Sequence, residues 1–313
     1  MTDDPRGIEA PQPSSSTYYD LPALKEPVWT WEVPVYFYVG GAAGAAATIG
    51  AVLQVLDGKG SERLVRRCRD LAALGTLVGS GLLVSDLGRP ERFLNMLRVF
   101  KPRSPLNLGS WILATAGGLT AGAAVLSRSR GAGRGLGSIA GLGAGIIGLP
   151  LSGYTAVLLA GTAVPVWRES RRSLPLLFVA SSTGAACSLL EMGDFDEEEL
   201  TAVRRLGTVA QLSEIALVKL VERESARVPG VDRPYKEGIS GTLWNGSTAC
   251  TVISLAVDTF TGKSRSGRLA AAAVGTLGSI ALRFSLWLAG RASARDPRAT
   301  FDSQRGPTNN MSP

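Results

Sequence analysis

Residues 33–55 read VPVYFYVGGAAGAAATIGAVLQV, an apolar run with no charge in it. A helix needs about 20 such residues to cross the hydrocarbon core of a bilayer, so the stretch predicts a membrane span. Its middle is glycine and alanine rather than leucine. Gly40, Gly41 and Gly44 suit a helix whose backbone closely approaches a partner, as small residues do between helices in lipid. In a water-soluble helix each interior glycine costs about 1 kcal/mol relative to alanine. The chain holds 38 glycines, most of them in runs of this kind.

Comparable runs recur at about 71–87, 106–126, 139–161, 175–192, 203–221, 240–260 and 269–289. The expectation is an all-α integral membrane protein of about eight spans in two four-helix bundles, 28–170 and 171–290. Residues 1–27 and 291–313 are rich in Pro, Ser, Arg and Asp and are expected as polar tails, disordered or ordered by a partner. The first 30 residues lack the basic start and short apolar core of a cleaved signal, so the first helix is expected to stay in the membrane. An even number of spans puts both tails on one face, here face A, with the loops near 88–105, 162–174 and 222–239. Face B then carries the loops near 56–70, 127–138, 193–202 and 261–268. Lysine and arginine lean toward face A, which favours a cytoplasmic face A. The arginine-dense stretch 59–69 on face B pulls the other way, so orientation stays open.

Two compositional facts exclude whole classes of chemistry. There is no histidine, so paired imidazoles for haem b or a histidine-built zinc or copper site are ruled out. Cys68, Cys187 and Cys250 are widely separated and form no cluster-binding spacing. No haem, iron–sulfur cluster or metal is therefore expected on this chain, and the cysteines are read as packing residues. The net charge of +7 is assigned to basic loops beside lipid headgroups, not to nucleic-acid binding.

Ionisable side chains are costly at membrane depth, so those near it are the functional candidates. Threading the spans up and down brings several to face A: Glu32 and Tyr36 open the first helix, Asp86 and Arg89 close the second, and Tyr154 lies late in the fourth. Each also has an ordinary reading. Asp86 and Arg89 at i, i+3 fit a helix-end ion pair, Glu32 fits the headgroup layer, and Tyr154 fits a hydrogen-bonded structural phenol. Trp29, Trp31, Trp111 and Trp167 read as a headgroup-depth aromatic belt. An apolar cavity with phenols and carboxyls at its edge suits an amphipathic ring with oxygens at both ends, and a quinone is the membrane-soluble candidate.

Four stretches carry a resemblance. Trp29–Gly44, Ser85–Leu97, Ser104–Trp111 and Gly153–Leu159 with Val164–Trp167 resemble, in order, motifs of the NrfD/PsrC family of polysulfide-reductase-type membrane subunits. The resemblance covers about 28–170; beyond it the spans agree mainly in number and length. It implies a prokaryotic cell-membrane subunit without its own redox cofactor. Such a subunit anchors an extrinsic iron–sulfur (ferredoxin-like) subunit and often a molybdopterin catalytic subunit. It exchanges electrons with menaquinone or ubiquinone near the cluster-facing surface. It also implies quinone contacts at Glu32, Tyr36 and Tyr154, with Asp86, Arg89 and Glu32 handling protons or orientation. A histidine stands in the place of Tyr36 in some members. A phenol can still donate a hydrogen bond there but is a poor base at neutral pH.

The rival reading is a secondary transporter or proton-conducting protein. It would use intramembrane Glu214, Arg283 and Asp86 as coupling or substrate residues. Apart from that rival, Glu214 in the sixth span and Arg283 in the eighth, with Gln211 one turn before Glu214, are expected as a buried pair that fixes the packing of the second bundle or carries protons toward face B, packing being favoured. Glu191 and Asp258 read as helix-end residues near face B.

Overall fold

A computed structural model describes residues 24–56, 61–87, 93–262 and 264–305. Among them there is no strand, and eight helices are long: α1 (Glu32–Leu56), α2 (Glu62–Asp86), α3 (Pro105–Leu126), α4 (Ala132–Ala160), α5 (Ser173–Glu191), α6 (Glu197–Ser225), α7 (Gly238–Thr261) and α8 (Arg265–Arg295). Six of these are long and apolar enough to cross a bilayer, and the protein is an all-α membrane protein. The other two, α6 and α7, stand where the sixth and seventh spans were expected. They have length enough, at 29 and 24 residues. What they lack is apolarity: α6 carries charges from Glu197 to Glu224, and α7 is diluted by Ser247, Thr251 and Ser254.

Helix ends follow local chemistry. Pro105 opens α3 after an extended Ser104, where a missing N–H costs nothing. Asp196 and Glu199 form a capping box at α6, so the acidic run becomes a helix start.

The helices are small inside and large outside. The buried residues of α1 are mostly Gly and Ala, while Val52, Val55 and Leu56 point outward. Leu74, Leu77 and Val78 of α2 and Ile139, Ile146 and Leu149 of α4 are likewise exposed. Lipid solvates large aliphatic side chains as well as a protein core does, so close backbone contact is what the interior gains.

The seam between α1 and α4 shows this most directly. A Cβ at Gly44 would sit 2.5 Å from the Gly148 carbonyl oxygen, and one at Gly148 would sit 2.4 Å from the Gly44 oxygen. The Thr48 hydroxyl donates to the carbonyls of Gly44 and Gly145, each at 3.0 Å. The Gln54 amide donates to the Ser138 carbonyl at 3.1 Å, so the two helices run antiparallel. Gly75 of α2 packs on Ala43, and Gly50 of α1 on Cys68, which ties α2 to the other flank of α1. α1 touches α5 and α8 as well, and α4 touches α3 and α5. α7 and α8 form the most extensive pair of the second half.

Past α8, the polar segment 296–305 is mostly helical. α8 runs to Arg295, and a further helix, Pro297–Arg305, follows. Asp296 accepts from the Arg298 and Ala299 amides, and Ala299 and Thr300 are buried. Burial of one small face is what holds this polar segment.

Glu26 ties the segment before α1 to the end of α8. Its carboxylate accepts from Arg295 Nη2 at 2.9 Å and from Arg291 Nε at 3.4 Å. The Arg295 hydrogen bond, followed by the charges of Arg295 and Arg291, holds the Glu26 carboxyl below its ordinary value. A depressed carboxyl contributes stability above its unfolded pKa and loses it as pH falls through the folded value. Glu26→Gln should therefore speed amide hydrogen exchange over 24–31 at neutral pH. That difference from wild type should vanish on acidification below the carboxylate range.

Gly44→Ala should lower the unfolding temperature in detergent, because overpacking against backbone costs about 1–3 kcal/mol. A Cβ at Gly118 of α3 meets nothing within 4 Å, so Gly118→Ala should cause no loss in the same melt.

Candidate functional site

At face A the ends of α1, α2, α3 and α4 surround a cavity of ≈ 230 Å³. Trp29, Tyr36, Asp86 and Tyr154 supply its polar edges, and Leu83, Leu106 and Leu113 much of its apolar wall. Leu106 and Leu87, which line the cavity, are also exposed on the outer surface at the ends of α3 and α2.

Both phenols rest on glycine. The Tyr36 ring lies over Gly40 of its own helix and Gly79 of α2, where added Cβ atoms would fall 2.9 and 3.1 Å from it. The Tyr154 ring lies on Gly109 of α3, where a Cβ would fall 2.5 Å from the ring. No other residue type would leave room for an aromatic ring at Gly109. The Tyr154 hydroxyl is buried beside the Gly109 backbone but finds no well-formed hydrogen bond there. A buried phenol without a partner carries a desolvation cost of about 1–3 kcal/mol, which a bound acceptor would relieve. Tyr36 is close enough to Tyr154 for the two to interact electrostatically, and its hydroxyl makes no hydrogen bond among the described residues.

The acidic edge is organised by Thr30. Its amide donates to Asp86 Oδ1 at 3.2 Å and its hydroxyl meets the same oxygen at 2.5 Å. The same hydroxyl also contacts Glu32 Oε2. Asp86 faces the cavity, and Thr30 is exposed, so the three groups lead from the cavity to the surface.

Trp29 forms one wall and is stacked on Trp167, ring centroids 5.9 Å apart. Trp167 is not part of a headgroup belt: it is 0% exposed. Its indole N–H donates to the Leu286 carbonyl at 3.0 Å, and its ring fills the space left by Gly290, both on α8. The missing Cβ at Gly290 is what lets so large a ring enter the core. Trp31, at 57% exposed, does face outward.

The structure thus brings Tyr36, Asp86 and Tyr154 together around one cavity and links Glu32 to it through Thr30. Arg89 lies outside the described residues, so its expected pairing with Asp86 has no geometry to report. Sequence reasoning passed over Thr30, Gly109 and the role of Trp29. The available signals were a hydroxyl two residues ahead of an acid at a helix start, and a glycine in the first turns of α3.

In the second half, Glu214 and Arg283 are both buried but do not form the expected ion pair. Glu214 accepts from Thr251 at 2.9 Å. Arg283 donates to Ser182 at 3.0 Å and to the Phe178 carbonyl at 3.3 Å, and its guanidinium lies 4.0 Å from the centre of the Phe178 ring. These contacts hold the cation against α5 through Nη2 and the ring, while Nε and Nη1 are buried without a hydrogen-bond partner among the described residues, and the carboxyl turns to α7. Gln211 donates to Ser254 at 3.0 Å. Asp258 accepts from Arg204 at 2.8 Å, joining the face B ends of α6 and α7.

A family model described as polysulphide reductase, NrfD, matches residues 21–221, about two thirds of the chain. The chain belongs to the NrfD family. The match contains every residue of the cavity and ends inside α6. A comparison with curated proteins gives no match. Membership makes this a membrane anchor of the polysulfide- and quinone-type reductases, a family associated with quinone and with iron–sulfur and molybdopterin partners.

Proposed function

We propose that this NrfD protein exchanges electrons between an extrinsic iron–sulfur subunit at face A and menaquinone or ubiquinone held in the α1–α4 cavity, in a prokaryotic cell membrane. A molybdopterin subunit beyond the iron–sulfur subunit would supply the rest of the chemistry. The observation that carries the reading is the buried Tyr154 hydroxyl, without a hydrogen-bond partner, at an apolar cavity whose wall includes the exposed Leu87 and Leu106. At ≈ 230 Å³ the space fits a single substituted ring rather than a larger ligand, with the isoprenoid chain leaving past Leu83 and Leu106.

The residues divide the work by chemistry. The Tyr154 hydroxyl donates to one ring oxygen and Tyr36 stands close by as a second phenol. Asp86 is the carboxyl at the cavity edge, and it takes or gives the proton that accompanies electron exchange. Thr30 and Glu32 carry that proton on to the surface. Arg89, three residues past Asp86, is assigned to orientation of this acidic edge. Trp29, braced by Trp167, keeps one side of the cavity apolar and dry. The second half of the chain contributes through that brace and not through a redox group.

Quinone-linked turnover of the assembled complex in native membranes tests this. Tyr154→Phe should cut turnover about two- to tenfold, the worth of one hydrogen bond of about 0.5–1.5 kcal/mol. Co-purification of the iron–sulfur subunit should be unaffected. Asp86→Asn should cost more and should flatten the pH dependence of turnover. Wild-type rates in both variants, with the complex intact, would remove the cavity from the reaction.

A further inference from the structure

A second cleft lies at the opposite face, away from the phenols. It has a volume of ≈ 470 Å³ and is formed by the start of α2, the end of α3 and the turn between α5 and α6. Four arginines line it, Arg63, Arg66, Arg67 and Arg128, against two aspartates, Asp70 and Asp194. The charges are not mutually neutralised. Arg128 holds Asp70 through both carboxylate oxygens, at 2.8 and 2.7 Å. Arg66 reaches only Glu62, at 3.7 Å. Arg63 and Arg67 are exposed and make no ion pair or hydrogen bond among the described residues.

The placement of these arginines runs against helix electrostatics. Arg63 lies in the first turn of α2, where the helix dipole is positive and a cation is disfavoured by about 0.3–1 kcal/mol, and Arg66 and Arg67 follow in the second turn, where the effect fades. Glu62 alone offsets them in that first turn. The floor of the cleft is aromatic: Phe195 folds its ring over Gly193 and packs on the core of α1, α2 and α5. Every wall lies at the end of a helix that spans or abuts the membrane, and the outward face of α2 beneath the cleft is Leu74, Leu77 and Val78.

We propose that this cleft binds a phosphate-bearing anion, with the headgroup of an acidic phospholipid as its source. Guanidinium groups pair with phosphate oxygens in a planar, two-pronged geometry, and four of them around one concavity exceed what local carboxylates use. An anion here also relieves the unfavourable start of α2. The acyl chains then lie along the exposed leucines and valine of that helix, which a free ion would leave to bulk lipid. This site is independent of the quinone reading, since it shares no residue with the face A cavity.

Native mass spectrometry of the purified full chain tests the proposal, with added cardiolipin, phosphatidylglycerol, phosphatidylethanolamine or inorganic phosphate. The Arg63→Ala/Arg67→Ala double variant should lose acidic-lipid adducts about thirtyfold, near 1 kcal/mol for each arginine at an anionic surface. Arg223→Ala, an exposed arginine of α6 outside the cleft, should bind as wild type does. Retention of inorganic phosphate without lipid, lost in the double variant, supports the anion site with the free ion as its source. Equal acidic-lipid and phosphate binding by wild type and the double variant overturns the proposal, as does equal retention of phosphatidylethanolamine and cardiolipin by the wild type. A matched thermal melt of the double variant separates lost binding from lost folding, because both side chains are solvent-facing.

Discussion

The contact of Gly44 with Gly148 lets the backbones of α1 and α4 touch, and the site is measured from that point. Tyr36 lies eight residues before Gly44 and Tyr154 six residues after Gly148. At about 1.5 Å of rise per residue along antiparallel helices, both phenols come to a similar depth, roughly 9–12 Å from the crossing. A Cβ at either glycine would meet the facing carbonyl oxygen at 2.4–2.5 Å, too close to stand, and would force the helices apart. The Thr48 bond to the Gly145 carbonyl across the seam, with the Gln54 bond to the Ser138 carbonyl, then fixes its register. In lipid no hydrophobic force draws helices together, so such backbone contact and interhelical hydrogen bonding carry the association.

The same device recurs wherever a large ring must enter a crowded interior. Gly109 makes room for Tyr154, Gly79 for Tyr36 and Gly290 for Trp167. Each pair couples a glycine on one helix to an aromatic on another segment, so the cavity is a joint product of several helices. The Trp29–Trp167 stack extends that coupling across the molecule. Through it α8, in the second half of the chain, holds a wall of a cavity built by the first. Glu26 makes a parallel connection at the surface, from the segment before α1 to Arg291 and Arg295. A quinone site of this construction is sensitive to the packing of helices that never touch the ligand.

The two faces of the protein differ in electrostatic character. At face A the cavity is apolar with carboxyls and phenols at its rim, suited to a neutral ring that takes up and releases protons. At face B arginines crowd one cleft, while Asp258 and Arg204 close the ends of α6 and α7 with an ion pair. Of the buried polar groups between, Glu214 and Arg283 bond to separate partners, on α7 and α5. That separation follows from the hydroxyls of Thr251 and Ser182, which offer each charged group a neighbour closer than the other charge.

The sequence by itself determined the solvent and the fold class, because uncharged runs such as 33–55 are intelligible only in lipid. It also placed Glu32, Tyr36, Asp86 and Tyr154 at one face, since alternating direction is forced by successive spans. Its apolar runs marked eight helices, yet two of them, α6 and α7, fall short in apolarity, because charges and hydroxyls on a helix can be turned inward where no periodicity count weighs them. Only the tertiary structure decided which side chains share a cavity. Rotation of each helix about its axis is set by glycine contacts with residues far away in the chain, and no single segment encodes it. The burial of Trp167, the bridging role of Thr30 and the separate fates of Glu214 and Arg283 all depend on a distant partner, Gly290, Asp86 or Ser182, that comes into range only when the helices pack.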